Sequence, residues 1–276
     1  MRTVILHGHI FKNAGTTLDW SLERMLGRDF LDHRQDSLML DQGMRHVEEL
    51  VTDNQHLRAI SSHHMPVMES AVGDLNLMPV YLLRHPLGRI VSVYDFERQQ
   101  DAETPGARAA SSMSFPDYVR WRMTAGVAPV IRDYQTLYLA GGHGMAGKRE
   151  VGAQHFFRAI ETVRGPALVG VVERYDESMV YFEETMREHF PAIDLSYVAQ
   201  NVSGGSKLAD RSGDGMTVKA LRQMDAQLQA TVIDHNGYDL SLYRIASEYL
   251  DVSIGRIPEF GVKLANFRER CQRLHG

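Results

Sequence analysis

The segment Thr3-Val-Ile-Leu6 is a short apolar run that opens at once into a polar loop, His7 to Gly15, and then into helical spacing from Thr16 onward. So short a run between polar segments reads as a buried strand. A strand feeding a glycine-containing loop and a helix is half of a βα unit. The same junction is an anion site, because N–H groups at a helix start point at the ligand and the helix dipole favours negative charge. Lys12 adds a full positive charge to it.

The pattern recurs. Strand-like runs fall at 57–61, 78–84 and 167–172. Helical spacing covers 16–27, 43–53, 86–99, 176–188 and segments near 216–233, 239–250 and 262–274, with a helical section in the middle of the chain. Strands alternating with helices predict an α/β fold, a three-layer sandwich with a central parallel sheet. Ligands in such sheets bind beyond the carboxyl ends of the strands, where Lys12 and Arg84 both fall.

Arg84 closes the run Met78-Pro-Val-Tyr-Leu-Leu-Arg84, and Pro86 then stands where a helix places its first residue. Ser92 lies two turns into that helix. The planar fork of an arginine binds phosphate bidentately, which suits a strand-end anion site.

The spacing in the first loop separates it from a Walker A sequence, in which lysine follows the last glycine. Here Lys12 precedes Gly15, and Thr16 and Thr17 follow it. His9-Ile10-Phe11-Lys12-Asn13-Ala14-Gly15-Thr16-Thr17 resembles instead the 5′-phosphosulfate loop of the sulfotransferases that use 3′-phosphoadenosine 5′-phosphosulfate (PAPS). The similarity is to the carbohydrate and heparan-sulfate group with its His-Ile-Pro-Lys-Thr-x-Gly-Thr signature. Phe11 replaces the usual proline and Asn13 the usual threonine. The Arg84 to Tyr94 segment is similar to the family's Leu-Arg-x-Pro-x-x-Arg-x-x-Ser-x-Tyr pattern. Val169-Gly-Val-Val-Glu-Arg-Tyr-Asp176 and Asn236-Gly-Tyr-Asp239-Leu-Ser-Leu-Tyr243 resemble two later passages of the family, in the same order. Asp176 also reads as the N-cap of the helix that follows it.

The resemblance implies a single domain, 1–276, of the P-loop nucleotide-kinase type, with PAPS as donor and 3′,5′-adenosine bisphosphate as product. It implies that Lys12, Asn13, Ala14, Gly15, Thr16 and Thr17 hold the 5′-phosphosulfate, with Lys12 on the leaving phosphate, and that Arg84 and Ser92 bind the 3′-phosphate. A late basic loop closes over the nucleotide in related enzymes, which points to Lys207 and Arg211. Ser61-Ser-His63-His64-Met-Pro66 is similar to a Ser-Gly-His-x-Pro passage that supplies a general base. Ungapped alignment to Pro66 selects His64, and reading the pair as Gly-His-His selects His63. No metal is required in this reading, because side chains supply the cations. Adjacent histidines on a strand point to opposite faces and make a poor metal pair.

Gln99 to Ser114 and Asn201 to Met216 read as loops, the former marked by Pro105-Gly106. The 99–165 region has no family match and is where an acceptor pocket would be shaped. The acceptor is expected to be a carbohydrate or small metabolite carrying a hydroxyl or amine. A small-molecule kinase, or a nucleotide-binding homologue without turnover, is the competing reading. A net charge of −5 argues against non-specific nucleic-acid binding. The lone Cys271 cannot form an intrachain disulfide, and the apolar run after Arg2 is too short for a signal peptide or a membrane span. The expectation is therefore a cytoplasmic protein.

Overall fold

A computed structural model describes residues 2–67, 75–141, 151–200 and 213–274. In chain order the elements are β1 (Arg2–Gly8), α1 (Gly15–Leu26), β2 (Phe30–Asp32), α2 (Asp36–Gln42), α3 (Met44–Asp53), β3 (Ala59–Ser62), β4 (Leu75–Leu83) and α4 (Pro86–Gln99). There follow α5 (Pro105–Ser112), α6 (Phe115–Met123), α7 (Tyr134–Leu139), α8 (Ala153–Arg164), β5 (Leu168–Val171) and α9 (Tyr175–Met186). The last four are α10 (Gly213–Gln223), α11 (Ala226–Asp234), α12 (Gly237–Ile254) and α13 (Phe260–Arg273). The described chain divides into two compact units, each drawn from separate stretches of sequence.

The first unit comprises 1–83, 160–201 and 245–276 and holds the five-stranded sheet, ordered β2-β3-β1-β4-β5 and parallel throughout. Alternation along β1 sends Val4 and Leu6 to one face, where they join Ile60, Leu77, Met39 of α2 and Val47 and Val51 of α3 in a buried cluster. His7 points to the other face and meets Asp19 of α1. Gly170 of β5 lies against α9 so closely that a Cβ there would sit 2.7 Å from the Ser178 Cβ. Helices thus cover both faces of a buried parallel sheet, and the molecule is the α/β sandwich that the sequence pattern predicts.

The second unit comprises 84–159 and 202–244 and is helical. Its core is aromatic and ionic. Tyr94 of α4 packs on Phe115 and Tyr118, while Glu97 accepts hydrogen bonds from Arg122 and from the Tyr118 hydroxyl.

Some boundaries differ from expectation for local reasons. Gln99 to Ser114 is a loop over 100–104 and then turns helical: Pro105 occupies the first turn of α5, and the Thr104 hydroxyl accepts the Ala107 N–H as its cap. The proline marks a helix start, because its fixed φ suits that position. The segment 216–233 is two helices, broken where Asp225 caps α11 by accepting the Leu228 N–H. Asp176 caps nothing, since α9 starts at Tyr175 after a 3-10 turn, and its carboxylate instead accepts from Tyr197 and Arg268. Among the described residues no helix is long and apolar enough to cross a membrane.

Candidate functional site

Beyond β1 the chain tightens, with the Ile10 N–H donating to the Gly8 carbonyl and the Asn13 N–H to the Ile10 carbonyl. Lys12 and Ala14 take left-handed φ values of 65° and 60°, whereas Asn13 and Gly15 do not. Left-handed backbone costs a non-glycine residue about 1–2 kcal/mol. Alternating the sign of φ turns successive N–H groups into one concavity, the nest that holds anions. The nest runs directly into α1, whose first turn carries no acidic residue and where the Thr17 N–H already donates to the Ala14 carbonyl at 3.1 Å. Lys12 is half-buried at this turn.

The glycine of this loop serves close approach rather than backbone freedom. A Cβ on Gly15 would lie 2.2 Å from Cδ2 of His9, so the imidazole covers the first residue of α1. Asn13 is buried, and its Nδ2–H donates to the Leu82 carbonyl at 2.7 Å, tying the loop to β4. Thr17 is buried and accepts the Gln200 N–H at 3.3 Å, while Thr16 is exposed.

Behind the loop lies a hub that single-residue reading of the sequence misses. His7 and His9, two apart along the strand direction, both place Nδ1 on Asp19, at 2.7 and 2.8 Å, and Arg34 reaches the same carboxylate at 3.3 Å. Burial works against ionisation of Asp19, but His7 and His9 hold its carboxyl well below the usual carboxylate range. Burial lowers the His9 pKa in turn. Among the described residues His7, His9 and Asp19 form one grouping able to hold a metal ion. Their ligand atoms are already hydrogen-bonded to one another, and Arg34 brings a competing positive charge to Asp19. The signal for the hub was the i, i+2 histidine spacing together with an acid one turn into α1.

His63 belongs to this cluster. Its ring centroid is 4.3 Å from that of His9, and its Nδ1–H donates to the His9 carbonyl at 2.9 Å, which leaves Nε2 as the basic nitrogen. Burial, then the neighbouring His9, pulls its pKa down to about 4, so the ring is neutral at physiological pH. His64 faces elsewhere, with Nε2 at 3.7 Å from Asp36, and burial lowers its pKa as well.

In the second unit Arg84 follows the last residue of β4 and is buried. Its N–H donates to Gln135 Oε1 at 2.8 Å, and its carbonyl accepts from Gln135 Nε2 at 2.9 Å. Ser92 is buried on α4. Arg89 of the same motif is spent on structure, stacked 4.3 Å over the Tyr134 ring and donating to the Val130 carbonyl. Lys207 and Arg211 lie outside the described residues. The structure thus gathers the Lys12 loop and His63 in one unit and keeps Arg84, two residues before α4, and Ser92, on α4, in the other.

No family model matches the chain. It is similar to an uncharacterized protein of Archaeoglobus fulgidus, 28% identical over 207 residues, which cover 73% of this chain and 80% of that one.

Proposed function

We propose that this protein is a sulfotransferase that moves the sulfuryl group of PAPS to a hydroxyl or amine of a carbohydrate or small metabolite. The observation that carries the reading is the nest: left-handed Lys12 and Ala14 alternate with Asn13 and Gly15 and lead straight into α1. Such a loop suits a phosphate ester whose charge grows as its bond to sulfur breaks. In this reading Lys12, the N–H groups of Gly15 and Thr16 and the threonine hydroxyls bind the leaving phosphate, and Arg84 and Ser92 bind the 3′-phosphate.

His63 suits the acceptor's proton better than His64. Its tautomer is fixed by the His9 carbonyl and it stands beside the ring that covers Gly15. A low pKa makes it a weak base, but one present in the accepting form throughout the neutral range. The rival kinase reading calls for a metal-holding acid at a strand end beside β1. The neighbouring strands β3 and β4 end in Ser62 and Leu83, followed by His63 and Arg84.

Calorimetric titration with 3′,5′-adenosine bisphosphate, against ATP with magnesium, tests the proposal. Micromolar bisphosphate binding that is lost in Arg84→Ala supports it. Binding of ATP with magnesium alone sinks it.

A further inference from the structure

The clamp on Arg84 is unusual in what it grips. Gln135 is buried and spends its side-chain amide on both backbone groups of one residue, the Arg84 N–H and C=O, as a neighbouring strand would. β4 pairs with β5 only as far as Leu83 and Val171, so the clamp takes over where that ladder stops.

Gln135 is itself held. Asp239 on α12 accepts from the Gln135 N–H at 3.1 Å, from its Nε2 at 3.3 Å and from the Thr136 N–H at 2.7 Å, which caps α7. Asp133 returns the favour by accepting the Asp239 N–H at 2.8 Å, and Asn236 accepts the Asp133 N–H at 3.4 Å. The arrangement is costly: Asp133 sits at a left-handed φ of 40°, and two buried carboxylates face one another. A satisfied buried network of this kind rigidifies what it touches. What it touches is the backbone of the strand-end arginine.

We propose that Gln135, oriented by Asp239, is a positioning residue that fixes the Arg84 backbone and thereby aims its guanidinium at the 3′-phosphate of the nucleotide. The inference rests on the sulfotransferase reading above. The 3′-phosphate preference, the affinity ratio of 3′,5′-adenosine bisphosphate to AMP, isolates the aim of Arg84 from general stability.

The experiment is calorimetry on the full chain with both nucleotides, for wild type, Gln135→Met, Arg84→Ala and the double variant. Gln135→Met is expected to lower the preference about tenfold, the worth of roughly one charge-assisted contact, with AMP affinity changed less than twofold. The double variant should match Arg84→Ala, because the two residues act through one contact. Gln135→Asn keeps both the donor and the acceptor of the amide but is one methylene shorter, so it reaches the two Arg84 backbone groups poorly. It should give an intermediate loss, and it carries the test if Gln135→Met does not fold. An unchanged preference in a folded Gln135 variant, or equal weakening of both nucleotides, overturns the positioning role. A wild type that does not distinguish the two nucleotides overturns the donor reading itself, and is recognised before any variant is made.

Discussion

Gly15→Ala is the sharpest perturbation of the loop. The added methyl would lie 2.2 Å from His9 Cδ2, 2.5 Å from Nε2 and 2.6 Å from Cγ, so the flat of the ring must move by more than an ångström. The imidazole is 6% exposed, bonded to Asp19 through Nδ1 and packed against His63 and His7, and it cannot swing without leaving Asp19. Losing a hydrogen bond to a charged group costs about 1.5–3 kcal/mol, and overpacking a buried site costs about 1–3 kcal/mol. The substitution should therefore destabilise the protein by about 3–5 kcal/mol, a large part of a typical stability of about 5–15 kcal/mol. The φ of Gly15 is not left-handed, so alanine meets no backbone strain and should be tolerated once the ring is gone. Urea unfolding of wild type, Gly15→Ala, His9→Ala and the double variant measures this directly. In the His9→Ala background Gly15→Ala should cost under about 1 kcal/mol, a coupling well beyond the roughly 0.5 kcal/mol scatter of additive sites. Equal costs in the two backgrounds would refute the close-approach explanation of this glycine.

Three further outcomes are expected. Glu97→Ala strands the buried Arg122 guanidinium and should cost about 3–5 kcal/mol in urea unfolding; replacing Glu97 and Arg122 together with methionine should cost less than Glu97→Ala alone, and the reverse ranking would contradict this. Burial first, then the charge of Asp239, raises the Asp133 pKa to about 7. A carboxyl raised above its unfolded value contributes stability below about pH 4 that is lost as pH rises through about 7, so Asp133→Asn should flatten the decline in Tm between pH 5 and 8; parallel wild-type and variant curves would count against it. His63, lowered to about 4, contributes stability present above about pH 6.5 and lost as pH falls through about 4. As the proposed base it should set an acid limb near pH 4 in kcat/KM that vanishes with His63→Ala, whereas full turnover in that variant and none in His64→Ala would assign the base to His64.

How far the sequence carried depends on how local each cause is. β1, its loop and α1 were legible because strand, turn and helix follow one another within one stretch of chain, each with its own periodicity. β2 was not, since a three-residue strand is too short to show alternation and is defined by its pairing with β3. α5 was misread because proline followed by glycine signals a turn unless the preceding residue is seen to cap, and that capping bond is a feature of geometry. The Gln135 clamp was out of reach altogether. Its partners lie 51 residues back at Arg84 and 104 residues on at Asp239, and nothing in the local pattern marks either contact.

The loop's strained positions were hidden for a different reason. Sequence reading assigns left-handed backbone to glycine, because glycine adopts it without steric penalty. Among the described residues Lys12, Ala14, Asp133 and Glu259 are left-handed without being glycine, while Gly15 has an ordinary φ and is small to admit His9. Strain placed on residues that dislike it persists only where surrounding contacts over-determine it. At Lys12 and Ala14 those contacts are the bond from Asn13 to the Leu82 carbonyl and the His9 ring over Gly15; at Asp133 they are its carboxylate on the Asp239 N–H and Asp239 on the turn after it. Whereas the turn at Glu259 only starts α13, the turns at Lys12 and at Asp133 each adjoin a group the proposed chemistry uses, Lys12 itself in one unit and the residue that clamps Arg84 in the other. Relaxing either turn should therefore cost ligand affinity before it costs the fold, the ordering expected when strain is held for pre-organisation rather than tolerated as an accident of packing.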